Sequence, residues 1–213
     1  MKILYEDNHL IAVEKPALLL TQPSPTSSKS LEQDLKTFIK KRDAKKGNVF
    51  LHAVHRLDKE ASGIVIFAKT QKALSRLSRS IREQKFVKEY SALVEGTGLK
   101  EGKVVDFLLH SHHKAIVVPE NHVGAKRAEL EIVNIEKRDE LSLVRVRLIT
   151  GRYHQIRAQL SHLGHPIVGD KRYGSRIPFN GIALHHTYCM FPHPTQQKKC
   201  EIYSPPSWGS RGM

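Results

Sequence analysis

The chain has 213 residues, with 35 Lys and Arg against 21 Asp and Glu, a formal net charge of +14. An excess of this size points to a polyanionic partner, with RNA, DNA and an anionic membrane surface as the candidates. Membrane is disfavoured because no run approaches the roughly 18–20 apolar residues that span a bilayer. Residues 1–7 are no secretory signal, and Cys189 and Cys200 are too few for a disulfide framework or a thiolate metal site, so a cytoplasmic protein is expected.

A chain of this length can bury about 70% of the surface its unfolded form exposes, and one catalytic domain over 1–213 is expected. A strand is expected at 10–14. The only linker-like stretch is 21–30, with two prolines and four serines, which reads as a surface loop. A helix should follow, because Ser30 and Gln33 form a capping-box pair and Leu31, Leu35, Phe38 and Ile39 recur at helical spacing. Its other face carries Lys36, Lys40, Lys41 and Arg42. A strand at 64–68 precedes a second helix over about 70–84, with Ala73, Leu74, Leu77 and Ile81 inward and Lys72, Arg76, Arg79 and Arg82 outward.

Beyond it the pattern is mostly period two. Strands are expected near 87–94, 115–118, 128–135 and 182–190. Val144, Val146 and Leu148 alternate with Arg145 and Arg147 in a strand with one basic face. Strands are many, helices few, and the two do not alternate regularly. An α+β fold with a mixed, largely antiparallel sheet flanked by helices therefore fits better than a doubly wound parallel sheet.

Two segments carry chemistry. In His55-Arg56-Leu57-Asp58-Lys59, one carboxylate lies between cations just before an apolar strand. Arg56 and Lys59 are expected to keep Asp58 ionised, although the same spacing also fits a structural ion pair. In Thr150-Gly151-Arg152-Tyr153-His154-Gln155-Ile156-Arg157, a strand ends and a helix begins, with Ile156, Leu160 and Leu163 on one face and Gly164 as the stop. That places Arg152 and His154 at a helix start, which favours a carboxylate or a phosphate. The thirteen histidines do not assemble a zinc spacing, and no metal is expected.

These segments, in this order, resemble the motifs of the RluA-type pseudouridine synthases. The stretch 55–63 is similar to that family's catalytic motif, and Phe86-Val87-Lys88-Glu89-Tyr90-Ser91-Ala92 to its tyrosine motif. The stretch 150–157, with His165-Pro166-Ile167-Val168-Gly169-Asp170, is similar to its arginine motif. Leu184-His185-His186, Phe191-Pro192-His193-Pro194 and Ser204-Pro205-Pro206 resemble its closing segment. Two departures stand out. Leu18 replaces the glycine usual after Lys15-Pro16-Ala17, and His186 replaces an alanine. The resemblance also lacks the small N-terminal RNA-binding domain that many relatives carry.

What the resemblance implies is isomerisation of uridine to pseudouridine in ribosomal or transfer RNA, with no cofactor; a monomer is the default expectation, with no DNA or membrane partner. Asp58 is the implied catalytic carboxylate, acting either on the sugar carbon or on a ribose proton. Arg152 would pair with it through a planar guanidinium. Tyr90 would take or relay the proton from carbon 5 of the detached base. Arg56 would fill the gap left by an everted nucleotide. His55, Lys59, His154, Gln155 and Arg157 are the further RNA contacts. Leu57, Ile64, Ile66 and Leu184 are candidates for an apolar wall that excludes water. Two other readings remain: a catalytically silent RNA-binding module, and a metal-free nuclease using His154.

Overall fold

The computed structural model describes residues 1–208, which divide into two compact units. The first comprises residues 1–86 and 187–205. Strand β1 (Lys2–Glu6) pairs with β2 (Leu10–Lys15), and β2 pairs in turn with a later strand, β4 (Ser62–Ala68). Short β3 (His52–Ala53) adds to β4, and all these pairs are antiparallel. The runs Leu10–Lys15 and Ser62–Ala68 are almost continuously apolar because both faces are covered. Ile11, Val13, Val65 and Phe67 pack with Leu31, Leu35 and Ile39 of helix α1 (Leu31–Arg42). The alternate residues Leu10, Ala12, Ile64 and Ile66 pack with Leu77 of helix α2 (Gln71–Arg82) and with Phe86 and Phe191.

Both helices start where side chains satisfy their first amides. Ser30 Oγ accepts from the Gln33 N–H at 3.3 Å, and Thr70 Oγ1 from the Ala73 N–H at 3.2 Å. The second helix is shorter than 70–84, because Thr70 serves as its cap and Gln84 takes a left-handed φ of 55°.

The second unit comprises residues 87–186 and 206–208 of those described. Its strands are β5 (Val87–Glu95), β6 (Gly102–Ser111), β7 (Lys114–Val118), β8 (Lys126–Arg138) and β9 (Leu141–Leu148). They lie in the order β5-β9-β8-β6-β7, antiparallel throughout. Ala92, Val94, Leu130, Ile132, Val144 and Val146 are buried on this sheet. Helix α3 (Gln155–His162) packs with β6 and β7, where Ala158 and Tyr173 meet Leu108, Ala115 and Ala128. The opposite face of β9 is not simply basic: Arg147 bonds Glu89 at 2.9 Å and Glu131 at 3.4 Å on the flanking strands. Strand β10 (Leu184–Pro192) begins in this unit and ends in the first, where it pairs with β11 (Lys199–Tyr203).

The fold is α+β, a largely antiparallel sheet flanked by three helices, as expected. The two-residue β3 was not foreseen, nor were strands β1, β6 and β11. Each of the last three carries charged or polar residues that blur its alternation. Among the described residues no helix is long and apolar enough to cross a membrane.

Candidate active site

In the first unit, Asp58 is half-buried on the segment joining β3 to β4. The segment is pinned at four points. The Val54 N–H donates to Ile66 O at 2.8 Å, and the Ile66 N–H reaches His55 Nε2 at 3.4 Å. Thr21 Oγ1 accepts from the Leu57 N–H at 3.1 Å and donates to Leu57 O at 3.2 Å. The Lys15 ammonium donates to Lys59 O at 3.1 Å. The residues on either side of Asp58 are thus both held by side chains from the 15–21 region. The Ala61 N–H closes the turn on Asp58 O at 3.2 Å.

Lys15 is a buried cation beside this segment that sequence reasoning did not single out. Its side chain is fully buried, and the ammonium also donates to Leu19 O at 2.6 Å and Pro16 O at 3.0 Å. Burial lowers its pKa to about 8, and the negative charges of Asp58 and Glu60 oppose that shift. Arg56 and Lys59, expected to hold Asp58, are exposed and make no ion pair among the described residues. Adjacent charges in a loop turn toward water by default, and the cation inside the unit comes from a residue 43 positions away. The only signal was a lysine before Pro16, which reads as an exposed turn. Leu18 takes φ 67°, a left-handed conformation that glycine adopts more readily, so this turn keeps a glycine-like backbone despite the substitution. Its carbonyls at 16 and 19 are gathered by Lys15.

In the second unit, Tyr90 lies on β5 opposite Val146 of β9 and is almost fully buried. Its ring stacks on His186, with centroids 4.6 Å apart and planes 20° apart. The residue that departs from the usual alanine therefore forms one side of the tyrosine's surroundings. Leu184, at the start of β10, is buried.

The turn that carries Arg152 is built by Gln155. Its Oε1 accepts from the Arg152 N–H at 3.0 Å and from Thr150 Oγ1 at 2.8 Å, while its Nε2 donates to Glu129 O at 3.0 Å. Arg152 itself is exposed, with Nε donating to Arg127 O at 2.9 Å. The helix therefore starts later than sequence suggests, at Gln155, and the preceding His154 has φ 49° and no side-chain cap.

Behind the turn lies a buried polar network. Arg157 holds Asp170 through two bonds, of 2.6 and 2.9 Å. Arg157 Nη1 lies 3.0 Å from His154 Nε2, and His154 Nδ1 lies 3.1 Å from Tyr173 Oη. A guanidinium can only donate, so Nε2 accepts and the ring proton sits on Nδ1. Tyr153 stacks on the same imidazole at 3.9 Å. This differs from the expectation that His154, Gln155 and Arg157 reach RNA. All three are buried, and their polar atoms are committed to shaping the turn under Arg152. A histidine fixed as a neutral tautomer inside a network is also poorly placed to act as a nuclease's acid and base.

Among the described residues no group of three His, Cys, Asp or Glu side chains can hold a metal ion.

A model of the family described as RNA pseudouridylate synthase matches residues 9–162. Ribosomal large subunit pseudouridine synthase C of Vibrio cholerae is 35% identical over 211 residues, covering 95% of this chain and 65% of that protein. The protein of the same name from Buchnera aphidicola is 36% identical over 215 residues, covering 95% and 66%. The chain thus spans just under two thirds of these relatives' length. Among solved structures, human RNA pseudouridylate synthase domain containing 4 matches with a TM-score of 0.81 at 21% identity, covering 97% of this chain and 89% of that one. Human RNA pseudouridylate synthase domain containing 1 matches with a TM-score of 0.74 at 25% identity, covering 96% and 83%.

Proposed function

Because the chain belongs to the RNA pseudouridylate synthase family, we propose that it isomerises uridine to pseudouridine in structured RNA, with Asp58 as the catalytic carboxylate and no cofactor. The observation that carries this reading is the family match over residues 9–162, which brackets Asp58, Tyr90 and Arg152. Ribosomal RNA is the first substrate class to try, since the relatives named above are ribosomal large subunit enzymes; transfer RNA is the second.

In this proposal the uridine is everted, its glycosidic bond is broken, and the base is turned and rejoined to the ribose through carbon 5. Eversion costs a few kcal/mol. Arg56, exposed at the start of the Asp58 segment, is the residue assigned to the vacated stack. Lys59 is a phosphate contact. Asp58 needs its charge and a fixed direction, and the bonds from Thr21 and Lys15 to its neighbours support both. Arg152, on its braced turn, supplies the cation of the reacting centre. Tyr90 handles the carbon-5 proton, and a neighbouring aromatic such as His186 fixes its ring.

RNA labelled with tritium at carbon 5 of uridine tests the proposal. Release of tritium from an uncut chain supports it. A shortened chain indicates a nuclease, and bound but unchanged RNA a silent binding module.

Tyr90→Phe keeps the ring and its stack on His186, so the variant is expected to fold and bind RNA. Its rate of tritium release should fall by about 10²–10⁴-fold, the usual worth of a positioned acid or base. Wild-type release would remove Tyr90 from the mechanism.

Lys15 predicts an alkaline limb. Activity is expected to fall as pH rises through about 8, where the buried ammonium loses its proton. Unfolding does not explain such a loss. The unfolded lysine keeps its proton to its ordinary 10.5, so between about 8 and 10.5 the unfolded chain holds more protons and this group's contribution to stability rises with pH. In Lys15→Met the limb should vanish from the pH–rate profile. A limb unchanged in that variant would assign it to another group.

A further inference from the structure

The two helices of the first unit both end in cations, but only one of them also carries acids. Helix α1 has Glu32 and Asp34 in its first turn, Lys40, Lys41 and Arg42 in its last, and a Lys36–Glu32 pair at 2.7 Å. That arrangement suits the helix dipole and side-chain pairing at i,i+4. Helix α2 has Arg79 and Arg82 in its last turn, which suits the dipole, but no acid in its first. Between Gln71 and Arg82 there is no acid, and Lys72 sits in the first turn, where a cation opposes the dipole.

The cations of α2 lie four, three and three residues apart at positions 72, 76, 79 and 82, so each neighbours another of the same sign, and all four are exposed. Like charges at these spacings destabilise a helix by about 0.2–0.5 kcal/mol per pair. Little offsets them. Arg76 Nη1 donates to Pro194 O at 2.6 Å, while Lys72, Arg79 and Arg82 make no ion pair among the described residues. The nearest following acid, Glu83, is held by Lys85 at 2.7 Å. Glu83, the C-cap, also feels the charges of Arg79 and Arg82 but is bonded to Lys85, so the helix keeps a clear excess of mutually repelling cations and is suited to an external polyanion.

The inner face of α2 says where that polyanion runs. Leu77 and Ile81 pack in the cluster that holds Ile64, Ile66 and Val54, and Phe86 just beyond the helix meets the His55 ring at 5.9 Å. The helix therefore packs on β4, and the residues just beyond its C-terminal end reach His55 at the start of the segment that carries Asp58. At 1.5 Å per residue the ridge from Lys72 to Arg82 is about 15 Å long.

We propose that the outward face of α2, formed by Lys72, Arg76, Arg79 and Arg82, is a phosphate-binding ridge that grips the RNA backbone flanking the target nucleotide. This rests on the function proposed above, and it adds which surface holds the substrate outside the reacting nucleotide.

The test uses the full chain with Lys72, Arg79 and Arg82 replaced by Gln, leaving Arg76 to hold Pro194. The control replaces Lys40, Lys41 and Lys46, exposed cations at and beyond the end of α1, by Gln. The probe is a fluorescein-labelled uridine-containing stem-loop RNA, and affinity is measured against salt. The α2 variant is expected to bind about tenfold or more weakly and to lose about 0.7–0.9 of salt slope per cation removed. In the tritium assay, KM should rise while kcat at saturating RNA stays near wild type. Wild-type affinity and slope in the α2 variant overturn the ridge, and so does an equal loss in the control, which would indicate bulk charge. Absence of tritium release by the wild type defeats the isomerase reading instead, while the binding comparison still decides on the ridge.

Discussion

Asp58→Asn is expected to leave a folded protein that binds RNA and does not turn it over. The amide matches the carboxylate in size. The bonds that position residue 58 come from Thr21 to Leu57 and from Lys15 to Lys59, and none of them uses the Asp58 side chain. Asparagine can neither carry the charge that attacks a sugar carbon nor take a ribose proton. The rate of tritium release should therefore fall by at least about 10²–10⁴-fold, the span of acid–base contributions, and further if the carboxylate forms a covalent bond. There is a second, independent readout. Because the Asp58 charge opposes the lowering of the Lys15 pKa, its removal should move the Lys15 titration below about 8. Turnover by this variant comparable with wild type would refute the catalytic role.

Asp170→Ala is expected to be the most destabilising single change in the second unit. It leaves the Arg157 guanidinium, at 3% side-chain exposure, without its carboxylate in a site closed to water. Breaking a buried pair from one side costs about 3–5 kcal/mol, measured by denaturant unfolding. The loss should extend to function, because the same guanidinium holds the His154 ring under the Arg152 turn. Replacing both partners, Arg157→Met with Asp170→Leu, removes the orphaned charge and should recover much of the stability, though not the His154 contact. A cost below about 1 kcal/mol for the single variant would make the pair no more important than one at the surface.

The parts of this protein that were legible beforehand are those with a local physical signature. The cap Ser30 marks a helix start because a hydroxyl there satisfies an amide three residues on, and that geometry is contained within four residues. Strand β9 was legible because burial of one face imposes a period on its apolar residues, and β2 and β4 because burial of both faces makes them nearly continuous apolar runs. The order of the motifs around Asp58, Tyr90 and Arg152 was enough to suggest the family. Strand β6 escaped because its residues are mostly half-exposed or exposed and no clean alternation survives.

From its sequence alone the chain determined its charge excess, its largely antiparallel α+β class and the three residues on which the chemistry is proposed to rest. Only tertiary structure decided what surrounds them: that Lys15 is the buried cation near Asp58, that His154, Gln155 and Arg157 build a turn, and that among the described residues the α2 cations form no ion pair within hydrogen-bonding distance. Helix caps and strand alternation depend on neighbours a few residues away. The state of a charge depends on which groups packing brings within a few ångströms, and here those groups come from up to 44 positions away, a separation that no short-range pattern records.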